Sequence, residues 1–213
     1  MSREVFILSY ARTPIGAFQG ALKDVSAPNL GAVAIKGSLK NGGLSPDHVE
    51  EVIMGNVLSA GVGQAPARQA SIYAGLPENV ECLTINKMCG SGLKAVMLGA
   101  QSIASGEVDV VVAGGMESMS NAPYHLPKGR TGHRLGHGQV LDGIIHDGLW
   151  DVYNDKHMGN CAEMCADKFS FSREDQDAYA TESYKRAVNA IENGTFRNEI
   201  VPVEIPQRKG DPK

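Results

Sequence analysis

The chain has 213 residues, of which 42% are hydrophobic and 21% are charged, and its formal net charge at pH 7 is −4. This composition is typical of a globular protein and excludes a disordered chain, and no apolar run in the sequence is long enough to span a membrane. The slight acidic excess argues against nucleic acid as the main partner. A chain of this length holds one large domain or about one and a half domains of ordinary size.

Strands and helices alternate in the first half of the chain. Apolar runs predict strands at residues 5–10, 51–57, 80–85 and 108–115. Helical spacing and turn residues predict helices at residues 29–39, 63–75 and 91–105. The first run is almost entirely apolar, which is typical of a strand buried on both faces of a sheet. Short strands that alternate with helices indicate β-α-β units, so we predict an α/β fold with a mainly parallel sheet.

The second half begins with a long stretch of little periodicity. Residues 120–160 are rich in Gly, His and Asp, which is typical of a binding loop or a lid. Two helices are predicted after it, at residues 160–169 and 173–193, the second with Ser172 as its N-cap. A last strand is predicted at residues 199–205, before a polar end.

Neither the cysteines nor the histidines predict a metal site. The four cysteines contain no Cys-x-x-Cys pair, and Cys161 and Cys165 are interpreted as packing residues because no second ligand pair accompanies them. Five histidines crowd into the irregular stretch, but none combines the spacing of a helical zinc pair with a neighbouring acid. Since no secretory signal is present, we expect a reducing compartment, namely the cytoplasm, with mitochondria and peroxisomes as alternatives.

Cys89 stands where a strand ends and a long helix begins. Backbone N–H groups at a helix start are unpaired, and the helix dipole favours negative charge there, which suits the thiolate that is the nucleophilic form of cysteine. Gly90 and Gly92 are predicted to keep the approach to the thiol clear. The helix has Lys94 as its only charge, which predicts a buried helix and a narrow, dry active site. The alternative is a cysteine that is only a small buried hydrophobe.

Four separated blocks of the chain resemble the thiolase family, in the family's order. They are residues 11–16, residues 55–58 continued at 64–69, residues 86–95 (NKMCGSGLKA), and residues 113–120. Residues 147–149 and 157–159 extend the likeness, which therefore covers the whole chain. Each block is a weak signal by itself, but their shared order is specific.

The resemblance implies the N-terminal half of a thiolase-like fold. Residues 1–119 would form the N-terminal catalytic domain, an incomplete α/β layer of βαβαβαβ topology. Residues 120–213 would form an inserted CoA-binding loop domain, largely irregular and helical, and truncated. The C-terminal thiolase domain is absent from the sequence. We therefore expect an open apolar face where that part of the family's fold would pack.

The resemblance also implies a reversible condensation of two acetyl-CoA molecules to acetoacetyl-CoA and CoA, the activity of an acetyl-CoA C-acetyltransferase. Cys89 would accept the first acetyl group as a thioester, which the carbanion of a second acetyl-CoA would attack. Cysteine supplies a thioester as reactive as the substrate, whereas serine does not. As in the family, the backbone N–H of Cys89 would be one donor to the developing oxyanion.

Four further residues match positions that contact the substrate in thiolases. The His157-Met158 pair is similar to the short-chain members that form acetoacetyl-CoA. By that likeness His157 and Leu149 would line the CoA tunnel, and Met158 would close the acyl pocket. Tyr184 matches a tyrosine that lies near CoA and a monovalent cation in some members. Packing is the alternative role for Leu149, Met158 and Tyr184. No separate cofactor is implied, since CoA is a substrate.

The sequence also departs from the family pattern. The activating histidine of the Gly-His-Pro motif, the Asn-Glu-Ala-Phe block and the second catalytic cysteine are all missing from these 213 residues. We therefore expect this chain to lack turnover by itself and to be about half of a longer enzyme, whose full-length form is a homodimer or a homotetramer.

Three other functions remain as alternatives. The first is a thiolase for longer 3-ketoacyl-CoA substrates, which differs in the acyl chain lengths that it accepts. The second is a non-catalytic thiolase-like subunit that binds CoA or a partner protein. The third is a cysteine hydrolase, which the sequence favours least because it needs a histidine and an orienting acid near Cys89.

Overall fold

A parallel three-stranded sheet forms the centre of the fold. The structure is a computed structural model that describes residues 3–205 and residue 207. The strands of the sheet are β1 (Glu51–Gly55), β2 (Glu81–Ile85) and β3 (Val111–Gly115). Their spatial order is β2-β1-β3, and β1 pairs in parallel with both neighbours. Because parallel strands end at one edge of a sheet, Gly55, Ile85 and Gly115 lie side by side at the carboxyl edge.

Helices cover both faces of this sheet. They are α1 (Ala27–Gly42), α2 (Pro66–Ala74) and α3 (Ser91–Ser105). α1 packs on α2, and α2 packs on β1 and β2, whereas α3 packs on β1 and β3. Side chains alternate between the two faces of a strand, so Val52 and Met54 point toward α1 and α2 while Ile53 points toward α3. The predicted α/β architecture and these six elements are confirmed, with bounds that shift by a few residues.

The hydrophobic core lies between the sheet and the α1–α2 layer. Its buried members come from both helices, from the strands and from the loops between them: Ala27, Ala32, Ile35, Leu39, Val49, Val52, Met54, Ala67, Ala70, Ala74, Leu76, Val80 and Met116. Each fully buried aliphatic side chain stabilises the fold by about 1.5–3 kcal/mol. Most of the burial that holds the sheet in place is therefore on this side.

The opposite layer is incomplete. Only Ser91, Ala95 and Gly99 of α3 are buried, and Leu93 and Met97 are 70% and 50% exposed. The prediction of a fully buried helix is therefore wrong for this chain, because no element of residues 3–205 covers the outer face of α3. The expected open apolar face is confirmed.

The first predicted strand is also absent. Residues 5–10 form no strand, and Phe6 and Ile7 are 71% and 80% exposed. A strand needs a neighbour whose N–H and C=O groups it can pair with. Here a groove of about 580 Å³ lies between residues 5–11 and the edge of β3. The prediction of a strand buried on both faces is wrong because no described segment fills that groove.

The predicted last strand is reduced to one bridge. Ile200 pairs with Arg12 in a parallel bridge, in which Arg12 donates to the Glu199 carbonyl over 2.8 Å and accepts from the Val201 N–H over 2.9 Å. An ion pair between Arg12 and Glu199 accompanies it. Residues 199–205 otherwise form no strand, so that prediction is wrong apart from this contact. The polar end lies outside the described residues except for Gln207.

The stretch at residues 120–160 that was predicted to be irregular contains two short antiparallel strand pairs. β4 (Tyr124–His125) pairs antiparallel with β5 (Leu141–Asp142), and β6 (Trp150–Asp151) pairs antiparallel with β7 (Lys156–His157). A single turn of π-helix, Ile144–Leu149, joins β5 to β6. π-Turns are rare and occur frequently at functional sites.

Two helices follow, α4 (Met158–Phe169) and α5 (Arg173–Glu192), close to their predicted bounds. The predicted N-cap of α5 is confirmed, because the Ser172 hydroxyl accepts from the Asp175 N–H over 3.1 Å. Asp175 accepts in return from the Ser172 hydroxyl and N–H, which lowers the pKa of its carboxyl. Every helix within the described residues is too short or too polar to cross a lipid bilayer.

Candidate active site

Cys89 lies in a tight turn between β2 and α3. Gly90 is the N-cap of α3, so Cys89 is the last residue before the helix. Met88, just before it, has a φ of +48°, a backbone conformation that few residues other than glycine adopt. The Cys89 side chain is exposed. The position at a helix start is as predicted, but the described residues do not form narrow, dry surroundings for the thiol.

Ser91 holds this turn closed. Its hydroxyl accepts from the Lys87 N–H over 2.8 Å and donates to the Met88 carbonyl over 2.6 Å. The side chain of Asn86 accepts from the Met88 N–H over 2.9 Å. Ser91 is buried, so its two hydrogen bonds are partly shielded from water. Together they fix the left-handed Met88 and present the neighbouring thiol outward.

Unpaired backbone N–H groups lie at the start of α3, where Cys89 precedes the helix. Within the described residues, the backbone N–H groups of Cys89, Gly92 and Leu93 make no hydrogen bond. Such unpaired donors at a helix start are suited to stabilise an oxyanion that forms next to the sulfur. A Cβ atom on Gly90 would meet only the Lys87 carbonyl oxygen, at 3.6 Å, so space beside the thiol is open as predicted.

The prediction for Gly92 is wrong. A Cβ atom there would lie 3.6–3.7 Å from the backbone of Gly114 and Gly115, so Gly92 faces the sheet and not the approach to the thiol. Its neighbour Ser91 packs closely on Gly55, the last residue of β1. The start of α3 therefore rests directly on the carboxyl edge of the sheet, where ligands of open α/β sheets bind.

We expect Ser91→Ala to loosen the turn. The variant loses two hydrogen bonds and leaves the Lys87 N–H unpaired, so the free energy of unfolding should fall by about 1–3 kcal/mol. Urea unfolding followed by circular dichroism measures this change. Ser105→Ala is the matched control, since Ser105 ends the same helix, is exposed and makes one local bond. Equal losses in the two variants would contradict the role given to Ser91.

The structure brings Leu149, His157 and Met158 together. Trp150 pairs with His157 across the β6–β7 ladder. Leu149 directly precedes Trp150 and Met158 directly follows His157. The two apolar residues therefore lie opposite each other at the same end of the ladder. The sequence placed these residues by resemblance alone, and the ladder gives the physical reason why they are neighbours.

His157 is fixed as a donor. It is the N-cap of α4, and its Nδ1 accepts from the Gly159 N–H over 2.9 Å. The neutral ring must therefore carry its proton on Nε2, which is left as the donor. Within the same hairpin, hydrogen bonds from the Asn154 side chain and the Tyr153 N–H lower the pKa of the Asp151 carboxyl, which stays charged and closes the connection to β7.

The π-turn that carries Leu149 is tied to the rest of the site. His125 Nε2 and Asp147 Oδ2 are 3.0 Å apart, and the Ile144 N–H donates to Asp142 over 2.8 Å. A Cβ atom on Gly148 would lie 3.3 Å from Leu58 Cδ2. The π-turn thus packs against the segment that follows β1.

Tyr184 does not join this group in the described chain. It lies on α5, where it is 77% exposed, and no residue of α5 is buried. Among residues 3–205 and 207 there is no group of three or more His, Cys, Asp or Glu side chains placed to hold a metal ion.

Comparison with protein families decides the assignment. The model described as thiolase, N-terminal domain, matches residues 5–213 of the chain. The chain belongs to the thiolase family. The thiolase assignment made from the four sequence blocks is thereby confirmed, and so is the expectation of an N-terminal part of that fold.

Known thiolase relatives are similar over nearly the whole chain. Acetyl-CoA acetyltransferase of Pseudomonas aeruginosa is 54% identical over 99% of this chain and 53% of its own length. Acetyl-CoA acetyltransferase 2 of Arabidopsis thaliana is 55% identical over 99% of this chain and 52% of its own. The crystal structure of the Acat5 thiolase from Ascaris suum in complex with coenzyme A superposes with a TM-score of 0.91, at 46% identity, over 94% of this chain and 52% of that one.

The chain spans about half the length of the curated relatives that it matches. The thiolase blocks around Cys89 are visible in the sequence, but Ser91 and Glu117 were noticed there only as members of blocks. Their roles depend on hydrogen bonds that only the folded chain displays. The pairing of His125 with Asp147 had no sequence signal, since the two residues are 22 positions apart.

Proposed function

We propose that this thiolase chain carries the acyl-accepting half of an acetyl-CoA C-acetyltransferase, which condenses two acetyl-CoA to acetoacetyl-CoA and CoA reversibly. The observation that carries the proposal is the exposed Cys89 thiol beside unpaired N–H groups at the start of α3. Relatives named acetyl-CoA acetyltransferase and a neighbouring structure that contains coenzyme A support it.

The chemistry follows from the position of the thiol. The Cys89 thiolate attacks the carbonyl carbon of acetyl-CoA, and the oxyanion accepts hydrogen bonds from the free N–H groups. The C–S bond to CoA then breaks, CoA leaves as the thiol after gaining a proton, and an acetyl thioester remains on Cys89. A base that this chain does not supply takes a methyl proton from a second acetyl-CoA, and the resulting carbanion attacks the thioester carbonyl. The C–S bond to Cys89 then breaks to give acetoacetyl-CoA, and the Cys89 thiolate regains the proton from that base.

The group of Leu149, His157 and Met158 is proposed to bind the CoA substrate. The Nε2–H of His157 offers a hydrogen bond, while Leu149 and Met158 offer an apolar surface for the pantetheine arm and the acyl group. Tyr184 is proposed to contact CoA together with a monovalent cation. No other cofactor is proposed. The loop domain would then be residues 120–213, set on a catalytic domain of residues 1–119.

Turnover requires groups that this chain does not supply. Within the described residues the histidine side chains that form hydrogen bonds, His125 and His157, bond to Asp147 and Gly159 and not to Cys89, so the thiol has no base to accept its proton. We therefore propose that the 213 residues alone are inactive in steady state. We further propose that the active form is a cytoplasmic homodimer or homotetramer of the full-length enzyme.

The test is an intact-mass spectrum of the protein purified from its source, before and after addition of acetyl-CoA. The proposal expects a mass near twice that of this chain and one acetyl group that maps to Cys89. A mass equal to that of the 213 residues, with Cys89 unmodified, would overturn it and favour a non-catalytic thiolase-like subunit. Steady-state thiolysis of acetoacetyl-CoA by the 213-residue chain would overturn the proposed inactivity.

A further inference from the structure

Glu117 lies two residues beyond the end of β3 and binds the segment that follows β1. Its carboxylate accepts from the Asn56 side-chain amide over 2.8 Å. It also accepts from the backbone N–H groups of Val57, over 2.9 Å, and of Leu58, over 3.0 Å. Three donors thus converge on one carboxylate, and hydrogen bonds to an ionised acceptor are about twice as strong as neutral ones.

The bound segment, residues 56–58, joins the carboxyl ends of all three strands. The Asn56 N–H donates to the Ile85 carbonyl at the end of β2 over 3.0 Å. Its side chain, 2% exposed, donates to the Met116 carbonyl just after β3 over 3.2 Å. A displacement of Glu117 would therefore also displace the end of β2, which is followed by the turn that contains Cys89.

Both parts of the candidate site rest on this segment. On one side Gly55, which precedes it, contacts Ser91 at the start of α3. On the other side Leu58 contacts Gly148 in the π-turn that carries Leu149. Residues 55–58 are thus in contact with both the start of α3, which follows Cys89, and the π-turn of the proposed CoA-binding group.

We propose that Glu117 is a positioning residue that sets the distance between the Cys89 thiol and the π-turn at Ile144–Leu149. The proposal rests on the proposed function, since it assumes that CoA bound near Leu149 delivers its acyl group to Cys89. A carboxylate is required because both of its oxygens accept. Glutamine at this position would turn an N–H donor toward Val57 or Leu58, where another N–H already points.

The test compares two reactions of the same thiol in the full-length protein and in its variants. Acetylation by acetyl-CoA needs Cys89 and the CoA-binding group in their correct relative positions. Alkylation by iodoacetamide needs only an accessible thiol. Peptide mass spectrometry separates Cys89 from the other three cysteines in both reactions.

For Glu117→Gln we expect acetylation of Cys89 to slow about 10²-fold, the usual effect of a misplacement near 1 Å. Alkylation should stay within about twofold of the wild-type rate, since exposure of the thiol is unchanged. Glu117→Asp, which keeps both acceptor oxygens, should restore part of the loss. Glu107→Gln is the matched control, because Glu107 is exposed just after α3.

Each other outcome overturns the proposal. Unchanged acetylation in Glu117→Gln would mean that the carboxylate positions nothing. Parallel changes in both reactions, with faster alkylation of the half-buried Cys82, would mean that Glu117 only stabilises the fold. If the wild-type protein itself is not acetylated, the proposed function and this proposal fail together, whereas acetylated wild type with an unaffected variant overturns this proposal alone.

Discussion

Replacing Cys89 by serine is expected to abolish acetylation at this position and to lower thiolysis by the full-length enzyme by at least about 10³-fold. Serine preserves the size of the side chain and the hydrogen bonds of the turn, which involve Ser91 and not Cys89. The variant should therefore fold normally. What it loses is a sulfur nucleophile that forms a thioester as reactive as acetyl-CoA.

Radiolabelled acetyl-CoA followed by peptide mapping measures this loss. Cys165→Ser is the matched control, since Cys165 is also exposed but lies on α4, away from the start of α3. Full acetylation should persist in the control. Label on Cys161 or Cys165 in the wild type, or retained label in Cys89→Ser, would contradict the assignment of Cys89 as the acyl acceptor.

Elements with local signals were predicted well. The N-cap at Ser172 and the turn before α3 are encoded within a few residues, so their bounds follow from the sequence. The three central strands were also found, because each is a short apolar run between turn residues. Residues 5–10 have the same signal but form no strand, since pairing depends on a neighbour that the described chain does not place there.

The burial of α3 was mispredicted for a related reason. An apolar surface all round a helix shows what the helix is able to bury, and not whether a second layer is present to cover it. Within residues 3–205 only the face of α3 toward β1 and β3 is covered. The exposed Leu93 and Met97 follow from that missing layer.

The candidate site likewise contains residues that local sequence patterns indicate and residues whose roles depend on long-range contacts. Cys89 was predicted as a site residue from a strand, a turn and a helix that are adjacent in the sequence. The role of Glu117 was not predicted, because its hydrogen bond with Val57 joins residues 60 positions apart. Leu149, His157 and Met158 were predicted through the thiolase likeness, and the β6–β7 ladder explains their proximity. The division at residue 119 into two domains stays a prediction.

Gly55→Ala is the second substitution with a large expected effect. A Cβ atom at this position would lie 2.5 Å from Ser91 Cβ, 2.7 Å from the Ser91 carbonyl carbon and 2.8 Å from the Gly92 nitrogen. Two of these atoms belong to the backbone, so no side-chain rotation relieves the overlap. The start of α3 must move away from the sheet, which should lower the free energy of unfolding by about 1–3 kcal/mol.

The same movement would shift Cys89, so acetylation should also slow by about 10²-fold in the full-length enzyme. Gly114→Ala is the matched control on the neighbouring strand β3, where the added Cβ would meet Met54 Sδ at an ordinary 3.6 Å. Urea unfolding of both variants, together with their acetylation rates, separates a local clash from a general intolerance of alanine in the sheet. If Gly114→Ala costs as much as Gly55→Ala, the contact between β1 and the start of α3 is not what positions the thiol. If only Gly55→Ala slows acetylation, the sheet edge sets the position of the nucleophile.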